Sequence, residues 1–166
     1  MSAETKARDA QAIWTSLAEV MDPEVPVLSV LDLGVVRNVR IDEKGAAEIV
    51  VTPTYSGCPA TEAIERLIRE RLEKDGWRVR LETRLAPPWT TDWLSDAARE
   101  KLRAYGIAPP QGSPDKRSLA PDRPAIVCPR CGSQDTECVS EFGSTACKAL
   151  YKCRACLEPF EYFKCL

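Results

Sequence analysis

Cys128-Pro129-Arg130-Cys131-Gly132 and Cys153-Arg154-Ala155-Cys156-Leu157 decide how the end of this 166-residue chain folds. A gap of two residues lets both sulfurs of a pair turn toward one ion. The intervening segment is long enough to bring the second pair to the opposite side of a tetrahedron. Cys128, Cys131, Cys153 and Cys156 are therefore read as the ligands of a zinc ribbon, with iron in a rubredoxin-like site as the competitor. Gly132 permits the turn that aims backbone N–H groups at sulfur. Leu157 holds the corresponding place in the second pair, and the missing glycine weighs for zinc over iron. Thr136 to Phe142 and Ala149 to Cys153 are rich in strand formers, and Phe160, Tyr162 and Phe163 continue the apolar content.

Working backwards, Ala108 to Pro124 alternates Pro, Gly, Ser and charged residues with hardly any apolar content, the composition of an extended linker. It separates a first domain, residues 1–107, from a ribbon domain, residues 125–166. About a hundred residues can bury one modest core, whereas roughly forty need a staple, which the metal supplies.

The first domain reads as αββαβα, a small α+β sandwich. Ala10, Ile13, Trp14, Leu17, Val20 and Met21 recur at helical spacing, predicting a helix from about residue 6 to Met21, stopped by Pro23. Val35 to Ile41 and Ile49 to Val51 flank Asp42-Glu43-Lys44-Gly45 as an antiparallel hairpin. Pro59 opens a second helix, with Ala60, Ala63, Ile64, Leu67, Ile68 and Leu72 on one face and a stop at Asp75-Gly76. Trp77, Val79, Leu81 and Thr83 alternate with charged residues as a strand that returns beside the hairpin through the helical crossover. Ser95 caps a last helix, Asp96 to Tyr105, which ends at Gly106; Trp93 and Leu94 anchor its start.

Composition narrows the chemistry. There are 23 basic and 25 acidic residues and no histidine. The near balance gives no footprint for nucleic acid. The absence of histidine removes imidazole acid/base catalysis, Ser-His and Cys-His nucleophile pairs and His-carboxylate oxygenase centres. No apolar run is long enough to span a bilayer, and Met1 to Gln11 lacks a signal-peptide core. A cytoplasmic protein is expected, in which thiols stay reduced and pair through metal rather than as disulfides.

Cys58 stands immediately before Pro59, at or next to the start of the second helix. Unsatisfied N–H groups and the helix dipole favour a thiolate there. The plain alternative is a small buried cysteine in a turn. Asp22-Pro23-Glu24-Val25-Pro26, Leu31-Asp32-Leu33-Gly34-Val35-Val36 and Thr54-x-x-Gly57-Cys58-Pro59 together resemble the iron-sulfur assembly domain of SufT-like proteins, over about residues 10–85. That resemblance implies a site of Asp22, Glu24, Thr54 and Cys58 that transiently handles iron or an iron-sulfur cluster. One cysteine cannot enclose a cluster that normally takes four thiolates. Of the other thiols, Cys138 within a strand is expected in the core. Cys147 and Cys165 are left as candidates for a second site or transfer surface, since no spacing rule pairs them.

A second resemblance covers nearly the whole chain. Val139-Ser140-Glu141-Phe142-Gly143-Ser144-Thr145-Ala146-Cys147-Lys148-Ala149 and Glu158-Pro159-Phe160-Glu161-Tyr162-Phe163-Lys164-Cys165 are similar to the D subunit, also lettered J, of the bacterial phenylacetyl-CoA epoxygenase system. Trp89-Thr90-Thr91-Asp92-Trp93 and Tyr105-Gly106-Ile107-Ala108-Pro109-Pro110 match it as well. The resemblance implies aerobic phenylacetate catabolism, in which a separate di-iron subunit epoxidises the ring and a flavin/iron-sulfur reductase supplies electrons. This chain lacks the Glu-x-x-His pairs of a di-iron centre and the Gly-rich dinucleotide fingerprint of a reductase. A non-catalytic accessory role follows, with the epoxygenase or its reductase as client. A structural zinc-ribbon interaction subunit and a thiol-redox or electron-transfer protein are the alternatives.

Overall fold

The computed structural model describes residues 9–111 and 125–165. The predicted start of the first helix at residue 6, most of the expected linker and Leu166 lie outside them. The chain divides into two compact units, Met1–Trp89 and Thr90–Leu166.

In the first unit, α1 (Ala10–Leu17) begins at Asp9, whose carboxylate accepts the Gln11 N–H, and buries Ile13, Ser16 and Leu17. It is shorter than its apolar periodicity suggests. Beyond Leu17 the chain turns and becomes extended: Val30 N–H donates to Val20 O (2.9 Å), Asp22 N–H donates to Leu28 O (2.8 Å), and Met21 bridges Ser29. Val20 is still buried, but on a strand-like segment. Its spacing fits both conformations, and long-range carbonyl partners decide between them.

Strands β1 (Val36–Ile41) and β2 (Ala47–Val51) form the expected antiparallel hairpin. The Asp42 carboxylate closes it by accepting from Lys44 N–H (2.9 Å) and Ala46 N–H (2.8 Å), with Gly45 at φ +74°. Helix α2 (Ala60–Lys74) buries Ala60, Ile64, Ile68 and Leu72, one row at four-residue spacing. Ile68 and Leu72 are fully buried, each contributing about 1.5–3 kcal/mol of transfer free energy. The helix is the crossover that sets β3 (Val79–Thr83) parallel to β2, Ala47 facing Val79 and Val51 facing Thr83. Trp77, read as the first residue of that strand, is buried just before it. Trp89 ends the unit, its indole N–H donating to Leu33 O at 2.8 Å.

The second unit starts at Thr90, ahead of the residue 108 at which the linker composition begins. A 3-10 turn, Thr91–Trp93, leads to α3 (Asp96–Tyr105). Ser95 caps α3 by accepting from Ala98 N–H (3.0 Å), and Gly106 ends it at φ +95°. Ile107 and Ala108 then form β4, which pairs parallel with β7 (Pro159–Phe163). The remaining strands are β5 (Thr136–Ser140) and β6 (Lys148–Cys153), and the sheet order is β4-β7-β6-β5. Ala108 is buried in the ribbon core with Ile126, Cys128, Ala149, Cys153, Phe160 and Tyr162. Tyr151 stacks on Phe160 (5.9 Å between centroids) and meets Tyr162 edge-on (5.6 Å). The segment expected to begin a linker thus supplies a strand and part of a core. No helix among the described residues is long and apolar enough to cross a membrane.

Candidate functional site

Two turns of the second unit carry the four thiols predicted as ligands. The first precedes β5: Gly132 N–H donates to Cys128 O and Cys128 N–H to Ser133 O, both at 2.9 Å. The second joins β6 to β7, with Cys153 N–H donating to Glu158 O at 3.0 Å. The residue after the second cysteine is left-handed in both, Gly132 at φ +77° and Leu157 at φ +66°. The two knuckles therefore share one backbone form although only one has the glycine. The sequence argument that the missing glycine favours zinc loses its force.

Their sulfurs converge. All four Sγ atoms lie within 4.8 Å of one another, the one such group of three or more possible ligands among the described residues. Across the knuckles, Cys128 Sγ is 3.8 Å from Cys156 Sγ and Cys131 Sγ is 3.5 Å from Cys153 Sγ. A tetrahedron with metal–sulfur bonds of about 2.3 Å has edges of about 3.8 Å, so the donor set fits one tetrahedral ion. Arg130 N–H points at Cys128 Sγ (3.4 Å) and Cys156 N–H at Cys153 Sγ (3.5 Å). The Cys156 N–H, helped by that of Ala155 and by the Cys131 thiol, holds Cys153 down to about 7. Cys156 receives the Glu158 N–H, yet burial and the Cys131, Cys153 and Cys128 sulfurs push it up to about 12. Thiols packed this closely cannot all ionise without a cation among them. Cys128 and Cys153 are buried, Cys156 is half-buried and Cys131 is exposed.

The knuckles are tied to the segment before them. A Cβ on Gly106 would meet the Arg130 guanidinium at 3.2 Å. The Gln111 side-chain amide, oriented by its partners, donates to Ala125 O and accepts from Val127 N–H, both at 3.1 Å. Sequence reading missed these ties and the left-handed Leu157. Leu157 is also 67% exposed, so its side chain gains little packing for a conformation that costs a non-glycine residue about 1–2 kcal/mol. Leu157→Gly is expected to stabilise the metal-loaded unit by about 1 kcal/mol, after the extra entropy of glycine in the unfolded chain. Denaturant unfolding measures this, and an unchanged or lower midpoint would contradict it.

The residues proposed around Cys58 sit differently. Asp22 is buried, and its Oδ1 accepts from Glu24 N–H (2.8 Å) and Val25 N–H (2.7 Å). That oxygen caps the acidic turn, a structural duty independent of any ligand. Glu24, Thr54 and Cys58 are half-buried. Pro59 is the residue capping α2, with no side-chain cap bond, so Cys58 lies one residue further out. Its backbone closes the turn, N–H to Tyr55 O (3.1 Å) and O from Thr61 N–H (3.2 Å). A Cβ on the preceding Gly57 would meet nothing within 4 Å, so the turn is open on that side. Asp22, Glu24 and Cys58 are not joined in a ligand group like that of the ribbon.

The remaining thiols separate. Cys138 is exposed, contrary to the expected core position: it pairs regularly with Tyr151, but β5 is the edge strand of its sheet, and none of its residues is fully buried. Cys147 is buried beside the Thr145 hydroxyl (3.0 Å). Cys165 contacts Gln111 O (3.3 Å) and the Tyr162 hydroxyl (3.6 Å).

Comparison with known proteins follows the same division. Residues 10–80 match the family described as iron-sulfur cluster assembly protein, and residues 112–164 match the PaaD zinc beta ribbon domain. The putative D subunit of the 1,2-phenylacetyl-CoA epoxidase of Escherichia coli (strain K12) is 52% identical over 155 residues, spanning 93% of this chain and 92% of that one. An Fe-S protein maturation auxiliary factor of Porphyromonas gingivalis is 34% identical over 88 residues, 52% of this chain and 83% of that one. Among solved structures, a DUF59 domain from Bacillus anthracis aligns with TM-score 0.53 at 27% identity, covering 56% of this chain and 90% of that one. With near-complete coverage by the Escherichia coli relative, and with both of its domains accounted for, the chain belongs to the family of phenylacetyl-CoA epoxidase D subunits.

Proposed function

We propose that this protein is a non-catalytic accessory subunit of the phenylacetyl-CoA epoxidase system in aerobic phenylacetate degradation. It assists insertion or repair of iron or an iron-sulfur cluster in the epoxidase or its reductase. The observation that carries this reading is the contrast between two kinds of thiol. Four converge on one another in the ribbon, whereas Cys58 stands half-buried at an open turn of the assembly-type unit. A thiol that passes metal on must be reachable; thiols that staple a small domain need only hold. Iron or cluster is cargo here, taken at Cys58 with Glu24 and Thr54 as the accompanying polar groups and Asp22 keeping the acidic turn in shape.

For the ribbon we propose resident zinc, held by Cys128, Cys131, Cys153 and Cys156, where it supplies a redox-inert tetrahedral cross-link. The likeness of the two knuckles suits iron as well, and elemental analysis of anaerobically purified protein decides between them. None of the eight cysteines is joined in a disulfide, which fits a reducing cytoplasm. Epoxidase assembled in cells lacking this chain is expected to contain less iron than normal. Full iron occupancy together with full activity would sink the reading.

A further inference from the structure

The segment Ser140 to Lys148 takes no part in the metal centre, yet several of its polar groups act to fix one loop. Ser140 Oγ donates to Phe142 O (2.8 Å) and accepts from Phe142 N–H (3.2 Å). Gly143 N–H donates to Lys148 O (2.7 Å), and Ser144 N–H donates to Glu161 Oε1 (2.9 Å). Glu161 Oε2 pairs with Lys148 Nζ at 2.9 Å, the lysine side chain being only 4% exposed. A Cβ at position 143 would lie 2.9 Å from Glu161 Oε1, so a larger residue there would have to displace the carboxylate that holds Ser144 N–H and Lys148. Lys164 Nζ closes the loop from the other side, donating to Glu141 O (2.8 Å) and standing 4.7 Å from the centre of the Phe142 ring.

What this framework holds in place is an aromatic ring that is 67% exposed, flanked in sequence by Val139 at 57%. An apolar ring in water gains nothing from being held still. The same ring entering a pocket gains its burial without the ordering cost that a mobile loop would incur. We propose that the Phe142 loop is the knob by which this protein docks on its client, a folded protein whose surface offers an apolar pocket with a carboxylate on its rim. The ring sets the pocket. The ammonium of Lys164 sets the rim, since among the described residues one of its three donors is used on Glu141 O. This rests on the function proposed above, with the epoxidase complex as client.

Binding of the full-length, metal-loaded chain to purified phenylacetyl-CoA epoxidase complex, followed by biolayer interferometry, tests it. Phe142→Ser is expected to weaken binding at least roughly tenfold, as loss of an anchor does, while Phe142→Leu retains most of it. A benzophenone amino acid in place of Phe142 reads the same contact without truncation and is expected to form adducts with an epoxidase subunit. Equal binding by Phe142→Ser, or adducts only with a second copy of this chain, overturns the knob and leaves the proposed function standing. Failure of the unsubstituted chain to bind the complex overturns that function, and the knob with it.

Discussion

Stripping the metal from the four-cysteine cluster is expected to unfold the second unit from Thr90 onward, α3 included, while the first unit keeps its structure. The ribbon core is small, and two of its buried members, Cys128 and Cys153, are among the four thiols proposed as ligands. Structural zinc sites contribute about 10–16 kcal/mol in isolated fingers at neutral pH, comparable to the whole stability of an ordinary domain. Without the ion, four sulfurs within 4.8 Å lose the charge that holds them together. Helix α3 follows because its end is joined to the ribbon through β4, Arg130 and Gln111. Hydrogen exchange before and after chelation measures the outcome. Amides of β6, β7 and α3 should lose protection together, and those of α2 and β2 should not. Retained protection in β7 after complete metal removal would show that the core is sufficient alone. Persistence of α3 by itself would detach it from the ribbon.

Cys58→Ser is expected to leave both units folded and to abolish maturation of the epoxidase. Its backbone N–H and O make the turn's hydrogen bonds, and serine keeps both. The side chain is only half-buried, so stability should change by no more than about 0.5 kcal/mol. Hydroxyl for sulfur, by contrast, removes the soft ligand that an iron-handling site requires. Asp22 could not serve the same test, because deleting a buried carboxylate that accepts two N–H groups damages the turn itself. The readout is iron content and activity of epoxidase matured in cells carrying the Cys58→Ser chain. Normal iron loading would favour the purely structural role, with Cys58 merely packed in its turn.

Patterns that repeat within one element were legible in the sequence. The row Ala60, Ile64, Ile68 and Leu72 marks α2 because a helix brings those positions to one face. Asp42 and Gly45 mark the hairpin because a turn with a left-handed residue suits few others. The ribbon cysteines were legible because spacing alone constrains where sulfurs can meet. Features set by distant partners were not legible. Val20 and Met21 keep helical spacing but pair with Val30 and Ser29. A two-residue strand such as β4 has no period to detect, so its membership of the ribbon sheet depends on β7, some fifty residues later in the chain. Cys138 lies within a strand, but that strand is the edge of the sheet, which only the pairing order reveals. Leu157 has no local signal for a positive φ; the knuckle imposes it. For the Cys58 turn, the residues named by resemblance belong to one unit, and Asp22 has a structural duty that spacing could not reveal.

The pairing of β4 with β7 also bears on how the molecule is made. The first unit has all its strands once the chain has passed Trp89, so it can complete its core while translation continues. The ribbon sheet cannot, because its earliest strand pairs with its last, and Cys153 and Cys156 follow β5 in the chain. With the ribbon metal held as proposed, its capture would follow completion of the first unit, Cys128 and Cys131 forming an open half-site until Cys153 and Cys156 have been made. Cells short of the resident metal would accumulate chains with a finished first unit and an unfinished second.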